Sequence, residues 1–351
     1  MKNRHNQGGL SLVEVMIALV LGLILTLGVA QIFNGSQQSF RLAQASARTQ
    51  ESARVAVEVL NRAIRNADYW GCVKRGRVQS TVSTGAGYDV GLHGFTNVAA
   101  IQVSVAGAGG TAVANSHTLT LRGSNGDGIQ FVEDAANTAA LFKVTSVEGI
   151  AKGDFLLLSD CGDGVLFQVS NEPNAANLQI EHLTGASLVP GNGTAITCPA
   201  GAPADASCFP KSFTSGEVYR PYIHHYEVRD VGGRRGLYLV DGGTEYELVD
   251  DIQDMRIQVG EASAAGGTEI SAWKDASTAG IDFDKVLALR VSLLVRSPEN
   301  NVVSSPQSLC YPAWATNCSP TNWTAPDRRK YEIFTTTTSI RNRLIPDITE
   351  S

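Results

Sequence analysis

The stretch that decides the fold lies near the start of the chain, at residues 8–33, and reads GGLSLVEVMIALVLGLILTLGVAQIF. Two glycines precede an apolar run that contains one carboxylate, that of Glu14. As a helix, residues 10–33 would be about 36 Å long at ~1.5 Å per residue, enough to cross a hydrocarbon layer of roughly 30 Å. Lys2 and Arg4 precede the run and favour a cytoplasmic N-terminus with an exported body. We therefore predict a membrane-spanning helix here.

The position of the small residues differs from that in an ordinary secretory signal. A signal peptide is cut at small residues after its apolar core, whereas Gly8 and Gly9 come before the run, so a cut after Gly9 would leave the helix on the mature protein. An ionisable group inside a membrane helix costs on the order of 2.5–3.5 kcal/mol on insertion scales. No Lys or Arg follows within the run to pair with Glu14. The nearest candidate partner is the α-amino group that cleavage would create on Leu10.

These residues resemble the class III, prepilin-type signal of type IV pilins and type II secretion pseudopilins. The resemblance rests on Gly9 followed by Leu10, with Glu14 at the fifth position counted from Leu10. It implies that a prepilin peptidase cuts after Gly9 and methylates the new N-terminus at Leu10. It also implies that Glu14 pairs with the terminal amine of a neighbouring subunit and so sets the register of assembly. Phe is the usual first mature residue in this family, and Leu10 is a tolerated variant.

After the apolar run the sequence becomes polar but keeps a helical pattern. Apolar residues recur at three- and four-residue steps, as on one face of an amphipathic helix: Phe40, Ala43, Ala47, Val57, Leu60 and Ile64. No proline interrupts residues 1–65. We predict one long helix, with residues 10–33 in lipid or a filament core and residues 34–68 packed on a domain. Gly22 and Gly28 would permit either local melting or close packing of helices.

The remainder, residues 69–351, predicts a β-rich globular domain with loop insertions. Strand patterns occupy residues 100–105, 117–122, 128–132, 141–145, 154–159, 164–170, 178–183, 219–228, 236–240, 245–248, 255–259, 286–296 and 331–338. Asp241-Gly242-Gly243-Thr244 predicts a hairpin turn. Because no helices alternate with these strands, we expect an α+β fold, a long N-terminal pilin-type helix packed on antiparallel sheet. The loops at 199–216, 260–280 and 297–330 are the expected exposed surfaces.

Composition narrows the class of protein and its compartment. The net charge of −6 gives no reason to propose nucleic-acid binding. An even count of six cysteines in an exported chain favours disulfides, although six cysteines allow 15 pairings. Two pairs close in sequence could each close a loop: Cys198 with Cys208, and Cys310 with Cys318. That choice would leave Cys72 with Cys161, tying the end of the long helix to the β-rich domain.

Several fragments could suggest catalysis or metal binding, and each has a simpler interpretation. Residues 123–128, GSNGDG, lack the Lys-Ser/Thr of a phosphate loop and predict a turn. His224 and His225 are adjacent in a predicted strand, so their side chains point to opposite faces and cannot easily share a metal. Asp160 and Asp163 lack the EF-hand spacing. With no Gly-x-Ser-x-Gly elbow and no zinc-like cysteine spacing, we expect no enzyme, no metal and no cofactor.

The body of the chain resembles the PilW family of minor pilins. Four parts carry this resemblance in order along the chain: residues 152–161 followed by 164–169, then 247–260, 286–297 and 339–344. It implies a minor pilin that helps to initiate type IV pili together with other minor pilins and the major pilin. Further implied partners are the prepilin peptidase and the inner-membrane assembly platform. The expected location is the inner membrane with a periplasmic domain, and the pilus, including its tip, after assembly.

Two other functions remain open on the sequence. The same N-terminal signal occurs in type II secretion pseudopilins, which serve protein export. A tip adhesin, in which the inserted loops bind a surface ligand, is a third hypothesis, although nothing in the sequence identifies that ligand.

Overall fold

The computed structural model describes residues 11–132, 135–185, 187–194, 196–204, 207–316, 318 and 322–344. Helix α1 spans Leu12–Asn66, 55 residues, and is continuous through Gly22 and Gly28, which confirms the prediction of one long helix. It ends where Ala67 adopts an extended conformation and Asp68 a left-handed one, with φ 61°. A second, short helix, α2, spans Val90–His93.

The face of α1 that packs on the domain differs in part from the predicted one. The buried residues are Ala45, Thr49, Ala53, Ala56, Leu60 and Ile64. Leu60 and Ile64 were expected there, but the prediction for Phe40, Ala43 and Ala47 was wrong, since all three are exposed. At about 100° per residue, Ala43 and Ala47 lie on nearly the opposite side of the helix from Ala45. Small residues occupy the true contact face and let the sheet approach closely.

Sixteen strands follow in the described residues, together with single 3₁₀ turns at Arg75–Arg77, Phe283–Lys285 and Arg341–Arg343. The strands are β1 (Val78–Ser80), β2 (Ile101–Val105), β3 (His117–Gln130), β4 (Leu141–Lys143), β5 (Phe155–Ser159), β6 (Gly164–Gln168), β7 (Gln179–Glu181), β8 (Glu217–Val231), β9 (Arg234–Asp241), β10 (Thr244–Asp250), β11 (Ile252–Ala262), β12 (Ile270–Asp275), β13 (Val286–Arg296), β14 (Ser308–Leu309), β15 (Trp323–Thr324) and β16 (Tyr331–Ser339).

The strands form one large and one small sheet, plus two short two-stranded pairs, β4 with β7 and β14 with β15. The large sheet has the order β1-β6-β5-β8-β3-β2, with β9 pairing on β8 and β10 on β9. The small sheet has the order β12-β11-β13-β16. The α+β class is therefore confirmed, but the sheets are not wholly antiparallel as predicted, because β1 pairs with β6 in parallel. Strand β1 has only three residues, too few to show an alternating pattern in the sequence.

The glycine-rich residues 123–128 form part of β3, so the predicted turn was wrong. They pair with β8, where Gly123 lies opposite Tyr222 and Gly126 opposite Tyr219. A Cβ atom on Gly123 would lie 2.8 Å from the Tyr222 hydroxyl, and one on Gly126 would lie 3.1 Å from the Tyr219 ring. The glycines are present because two tyrosine rings occupy the space that side chains would need.

Two predicted loops contain strands that their sequences do not reveal. Strand β12 lies within residues 260–280 as a largely exposed edge strand, and β14 and β15 pair within residues 297–330. An exposed edge strand buries neither face, so it shows no apolar alternation. The hairpin at 241–244 is confirmed, with left-handed φ of 56° at Gly242 and 84° at Gly243.

All six cysteines form disulfides in the structure. Cys72 is bonded to Cys161 with a Cα–Cα distance of 4.6 Å. The other pairs are Cys198 with Cys208 at 5.2 Å and Cys310 with Cys318 at 5.4 Å. The first bond ties the segment after α1 to the loop between β5 and β6, across 89 residues.

The described residues contain four hydrophobic clusters, of which the two largest form the main cores of the domain. One joins the buried stripe of α1 to residues from both sheets, including Leu121, Ile257 and Leu293. The other lies apart from the helix and centres on the phenylalanine rings of residues 142, 167, 209 and 213. The second core belongs to residues 69–233, which we call the middle region.

The N-terminal helix as candidate functional site

Helix α1 has two halves with different environments. Every residue from 11 to 44 is exposed, whereas the buried stripe begins at Ala45; we call residues 12–44 the apolar half and residues 45–66 the packed half. Leu25 is 70% exposed and Phe33 60% exposed. By length and composition this helix could cross a membrane. Because water disfavours so much apolar surface, lipid or other helices must cover the apolar half.

The start of α1 is closed by a reciprocal pair of hydrogen bonds. The Glu14 backbone N–H donates to the Ser11 hydroxyl at 3.2 Å, and the Ser11 backbone N–H donates to the Glu14 carboxylate at 3.1 Å. This is a capping box, and it places a negative charge at the positive end of the helix dipole. Glu14 is the third residue of the helix. The predicted processing residues Gly9 and Leu10 lie outside the described residues.

Ser11 is a site residue that the sequence reasoning missed. Its signal was present, since a Ser followed three residues later by Glu just before an apolar run is the pattern of a capping box. The side chain of Glu14 therefore has a partner within its own subunit. Any partner from another subunit must replace that contact.

The packed half is held on the small sheet by polar contacts beside its buried stripe. The hydroxyls of Thr336 and Thr338, on β16, both donate to the Asn61 side-chain oxygen, the former at 3.0 Å. The Thr49 hydroxyl donates to Glu332, also on β16, at 3.1 Å. These bonds hold the helix against β16 at Thr49 and at Asn61, more than two turns apart along the helix. They therefore fix the rotation of the helix on the sheet.

The segment between β13 and β16 extends this attachment towards the N-terminal end of the helix. Gln38 donates to the backbone oxygen of Val302 at 2.6 Å, and Arg48 forms an ion pair with Glu299 at 3.5 Å. Lys330 donates to the Ser46 hydroxyl. The segment thus contacts α1 near the boundary between its two halves.

The C-terminal end of α1 is anchored by a buried ion pair. Arg343 donates to the Asp68 carboxylate at 2.7 Å, with side-chain exposures of 8% and 11%. It also donates to the backbone oxygens of Phe283 at 2.6 Å and Val286 at 2.8 Å. The buried Trp70 ring donates to Asp68 at 2.8 Å. One arginine near the described C-terminal end therefore joins the helix end to the small sheet.

The fragments set aside as catalytic candidates have structural partners. The His225 ring bonds the Thr120 hydroxyl at 2.8 Å, whereas the His224 ring stacks on Tyr222 at 4.3 Å. Burial raises the pKa of Asp160, but the hydrogen bonds from Lys211 and from two backbone N–H groups, together with the Lys211 charge, outweigh this, so the pKa lies below its usual value. Lys211 lies 2.8 Å from Asp160. Within the described ranges, no group of three or more His, Cys, Asp or Glu could hold a metal ion.

The fold and the helix start define the class of protein. Residues 4–30 match the prokaryotic N-terminal methylation motif, and this match together with the long exposed apolar helix supports membrane anchoring and association with a pilus.

The second match is more specific. Residues 235–342 match the type IV pilus-assembly protein W family, PilW, and the two matches together support a PilW-like type IV pilin. The matched part runs from β9 to the last 3₁₀ turn, so it contains the whole small sheet that holds the packed half. Comparisons with curated proteins and with solved structures give no match. A pilin is a structural protein that interacts with other pilus components.

Proposed function

We propose that this chain is a minor pilin that helps to initiate type IV pilus assembly together with other minor pilins and the major pilin. Its domain would lie in the periplasm while the apolar half spans the inner membrane, and the subunit would end at the pilus tip after assembly. The observation that carries the proposal is Glu14, an acid in the first turn of a helix whose apolar half is fully exposed. The PilW match favours a pilus over a secretion system.

Processing would precede assembly. Prepilin peptidase would remove residues 1–9 by cutting after Gly9 and would methylate Leu10. The mature chain would then consist of an embedded helix over 10–33, an amphipathic continuation over 34–68, and a periplasmic domain over 69–351. The methylated amine on Leu10 would lie next to the helix start, where the capping box holds Glu14.

Glu14 would select a neighbouring subunit by its charge. Leaving one partner of a buried ion pair unpaired costs about 3–5 kcal/mol, so a register without an amine opposite Glu14 would be rejected. In the isolated subunit the Ser11 backbone N–H donates a hydrogen bond to this carboxylate. Assembly would therefore exchange a local hydrogen bond for a charged partner on another chain.

The first experiment is the mass of the N-terminal peptide from membranes of cells with and without prepilin peptidase. We expect a peptide that begins at methylated Leu10 only when the peptidase is present. An intact leader through Gly9 in both strains would contradict the processing step and leave an anchored periplasmic protein.

A second experiment tests the register role by counting pili. Glu14→Ala should still be cut and methylated but should fail to restore pili in a strain that lacks this chain. Glu58→Ala, which removes an exposed acid of the packed half, is the matched control and should restore them. If deletion of the chain left pilus number unchanged and abolished protein secretion, the pseudopilin alternative would replace the proposal.

A further inference from the structure

A pocket lined by uncharged residues lies in the middle region, away from the helix and outside both family matches. It encloses about 390 Å³, within the size range of small-molecule sites. Two segments form its walls, residues 80–97 and residues 193–194, and Leu166 of β6 contributes to its lining. Neither the assembly role of the helix nor the small sheet accounts for this pocket.

A buried amide network holds the two walls together. Asn192, 5% exposed, donates to the backbone oxygen of Gln168 at 2.6 Å and accepts from its backbone N–H at 2.7 Å. The backbone N–H of Ser83 donates to Gly191 at 2.9 Å, and that of Gly193 donates to Thr81 at 2.7 Å. Loops fixed in this way lose little entropy when a ligand binds, because they are already ordered.

The lining combines hydroxyl and amide groups with apolar surface, and it contains no acidic, lysine or arginine side chain. The hydroxyls of Thr84, Thr96 and Thr194 form no side-chain hydrogen bond within the part of the chain that the structure describes. The Tyr88 hydroxyl accepts from the Asn97 amide at 2.7 Å, which leaves its own O–H free to donate. Each free hydroxyl offers one donor and two acceptor positions.

His93 adds a directed donor and a second ring. Its Nδ1 accepts from the Asp89 backbone N–H at 2.9 Å, so the neutral ring carries its proton on Nε2. Burial lowers the pKa of His93 below its usual value, although the nearby Asp89 charge opposes this shift. At neutral pH the ring is therefore uncharged. It lies 5.7 Å from the Tyr88 ring, and both rings border the pocket.

We propose that this pocket binds a neutral saccharide. A sugar ring presents hydroxyls that both donate and accept, which matches the free threonine and tyrosine hydroxyls, and it also presents C–H faces that pack on aromatic rings. An anion would find no cationic side chain among the lining residues, and a fully apolar ligand would leave the hydroxyls unsatisfied at a cost in free energy. The subunit would thus carry a sugar site on its middle region while the helix and small sheet serve assembly.

The test uses the full chain purified in lauryldimethylamine oxide, a detergent without a sugar headgroup. Saturation-transfer NMR is recorded with glucose, galactose, mannose, N-acetylglucosamine and N-acetylgalactosamine, each at about 10 mM, a concentration at which a site with a Kd of about 1 mM is mostly occupied. Glucuronate serves as the charged comparator. We expect at least one neutral sugar to give a signal and glucuronate to give none.

Variants assign the signal to the pocket. Tyr88→Phe removes one hydroxyl and Asn97→Asp adds a charge, and each should weaken binding by about tenfold, the size of one lost hydrogen bond. Thr278→Val, on an exposed loop, is the control and should bind as the parent chain does. Near-ultraviolet circular dichroism checks that each variant is folded.

Three outcomes would overturn the proposal: no signal from any neutral sugar, a signal from glucuronate as strong as that from the best neutral sugar, or parent-like binding by both pocket variants. The proposed assembly role is tested separately, because Tyr88→Phe should leave pilus number unchanged. A variant that loses sugar binding but makes normal pili supports the sugar site. A variant that binds sugar normally but makes no pili bears only on the proposed assembly role.

Discussion

The two halves of helix α1 differ in what covers them. The apolar half carries large side chains such as Leu25 and exposes all of them, whereas the packed half buries mostly small ones, together with Leu60 and Ile64. Fully burying a Leu stabilises by about 1.5–3 kcal/mol. Burial of the apolar half would therefore release more free energy than burial of the packed half, but its side chains are exposed in the isolated subunit. Hydrophobicity alone therefore does not show where a chain packs on itself.

The attachment of the packed half should be most sensitive at Arg343. Arg343→Met removes the nearer of the two cations beside the buried Asp68, leaves only Arg75 at 3.8 Å from this carboxylate, and removes the bonds to two backbone oxygens. We expect a loss of about 3–5 kcal/mol in the free energy of unfolding, measured by denaturant titration of the full chain with tryptophan fluorescence. Trp70, which bonds Asp68, reports on this end of the helix.

The neighbouring Arg341→Met is the control for that prediction. Arg341 lies in the same 3₁₀ turn but is exposed, so its loss should change the free energy of unfolding by no more than about 0.5 kcal/mol. Equal effects of the two substitutions would show that the buried pair does not anchor the helix.

A matched pair of leucines tests the difference between the halves directly. Leu60→Ala opens a cavity in the core that joins α1 to both sheets and should cost about 3 kcal/mol of domain stability. Leu25→Ala removes the same atoms from an exposed position and should leave domain stability within about 0.5 kcal/mol. Both values come from the same denaturant titration. A comparable loss at Leu25 would mean that the apolar half packs on its own domain.

The sequence predicted those features that rest on local patterns. One uninterrupted helix followed from its apolar run and the absence of proline, and the 241–244 hairpin followed from two glycines. Strand β12 was missed because an exposed edge strand carries no apolar alternation. Phe40 was placed on the wrong face of α1 because three- and four-residue steps between apolar residues occur on more than one side of a helix. The spacing alone does not show which side contacts the domain.

For the same reason, only those residues of the candidate site that belong to a local pattern could be predicted from the sequence. Glu14 stands out as an acid in an apolar run, and Ser11 could have been found from its spacing to Glu14. No local pattern could have paired Asp68 with Arg343, because 275 residues separate them. Contacts of this kind depend on how the sheets assemble, which a single sequence does not show.

Acid should weaken the middle region before it releases the packed half. His182 lies in the second core, stacked on Phe209 at 4.0 Å, and burial lowers its pKa to about 4. The unfolded chain binds this proton near pH 6.5, so the stabilisation is complete above that value and is lost as pH falls towards 4. At pH 5 the loss is about 2 kcal/mol.

Hydrogen exchange at pH 7 and pH 5 checks the location of this effect. After correction for the slower intrinsic exchange at pH 5, amides of β6 and β7 should lose protection at that pH, whereas those of the packed half should lose less. His182→Phe removes the titrating group while keeping a ring, so the difference between the two pH values should shrink in that variant. A uniform loss of protection over both regions in the parent chain would show that the two cores do not unfold separately.

The smallest expected effect is at the free end of the helix. Ser11→Ala removes the hydroxyl that accepts from the Glu14 N–H and should destabilise the first turn by about 1 kcal/mol, seen as faster amide exchange at Glu14 and Val15 with no change in domain stability. Ser11→Thr should restore the cap. Because Glu14 keeps its charge in both variants, pili should still form. Loss of pili in Ser11→Ala but not in Ser11→Thr would mean that the cap itself, and not only the carboxylate, presents the helix start to the neighbouring subunit.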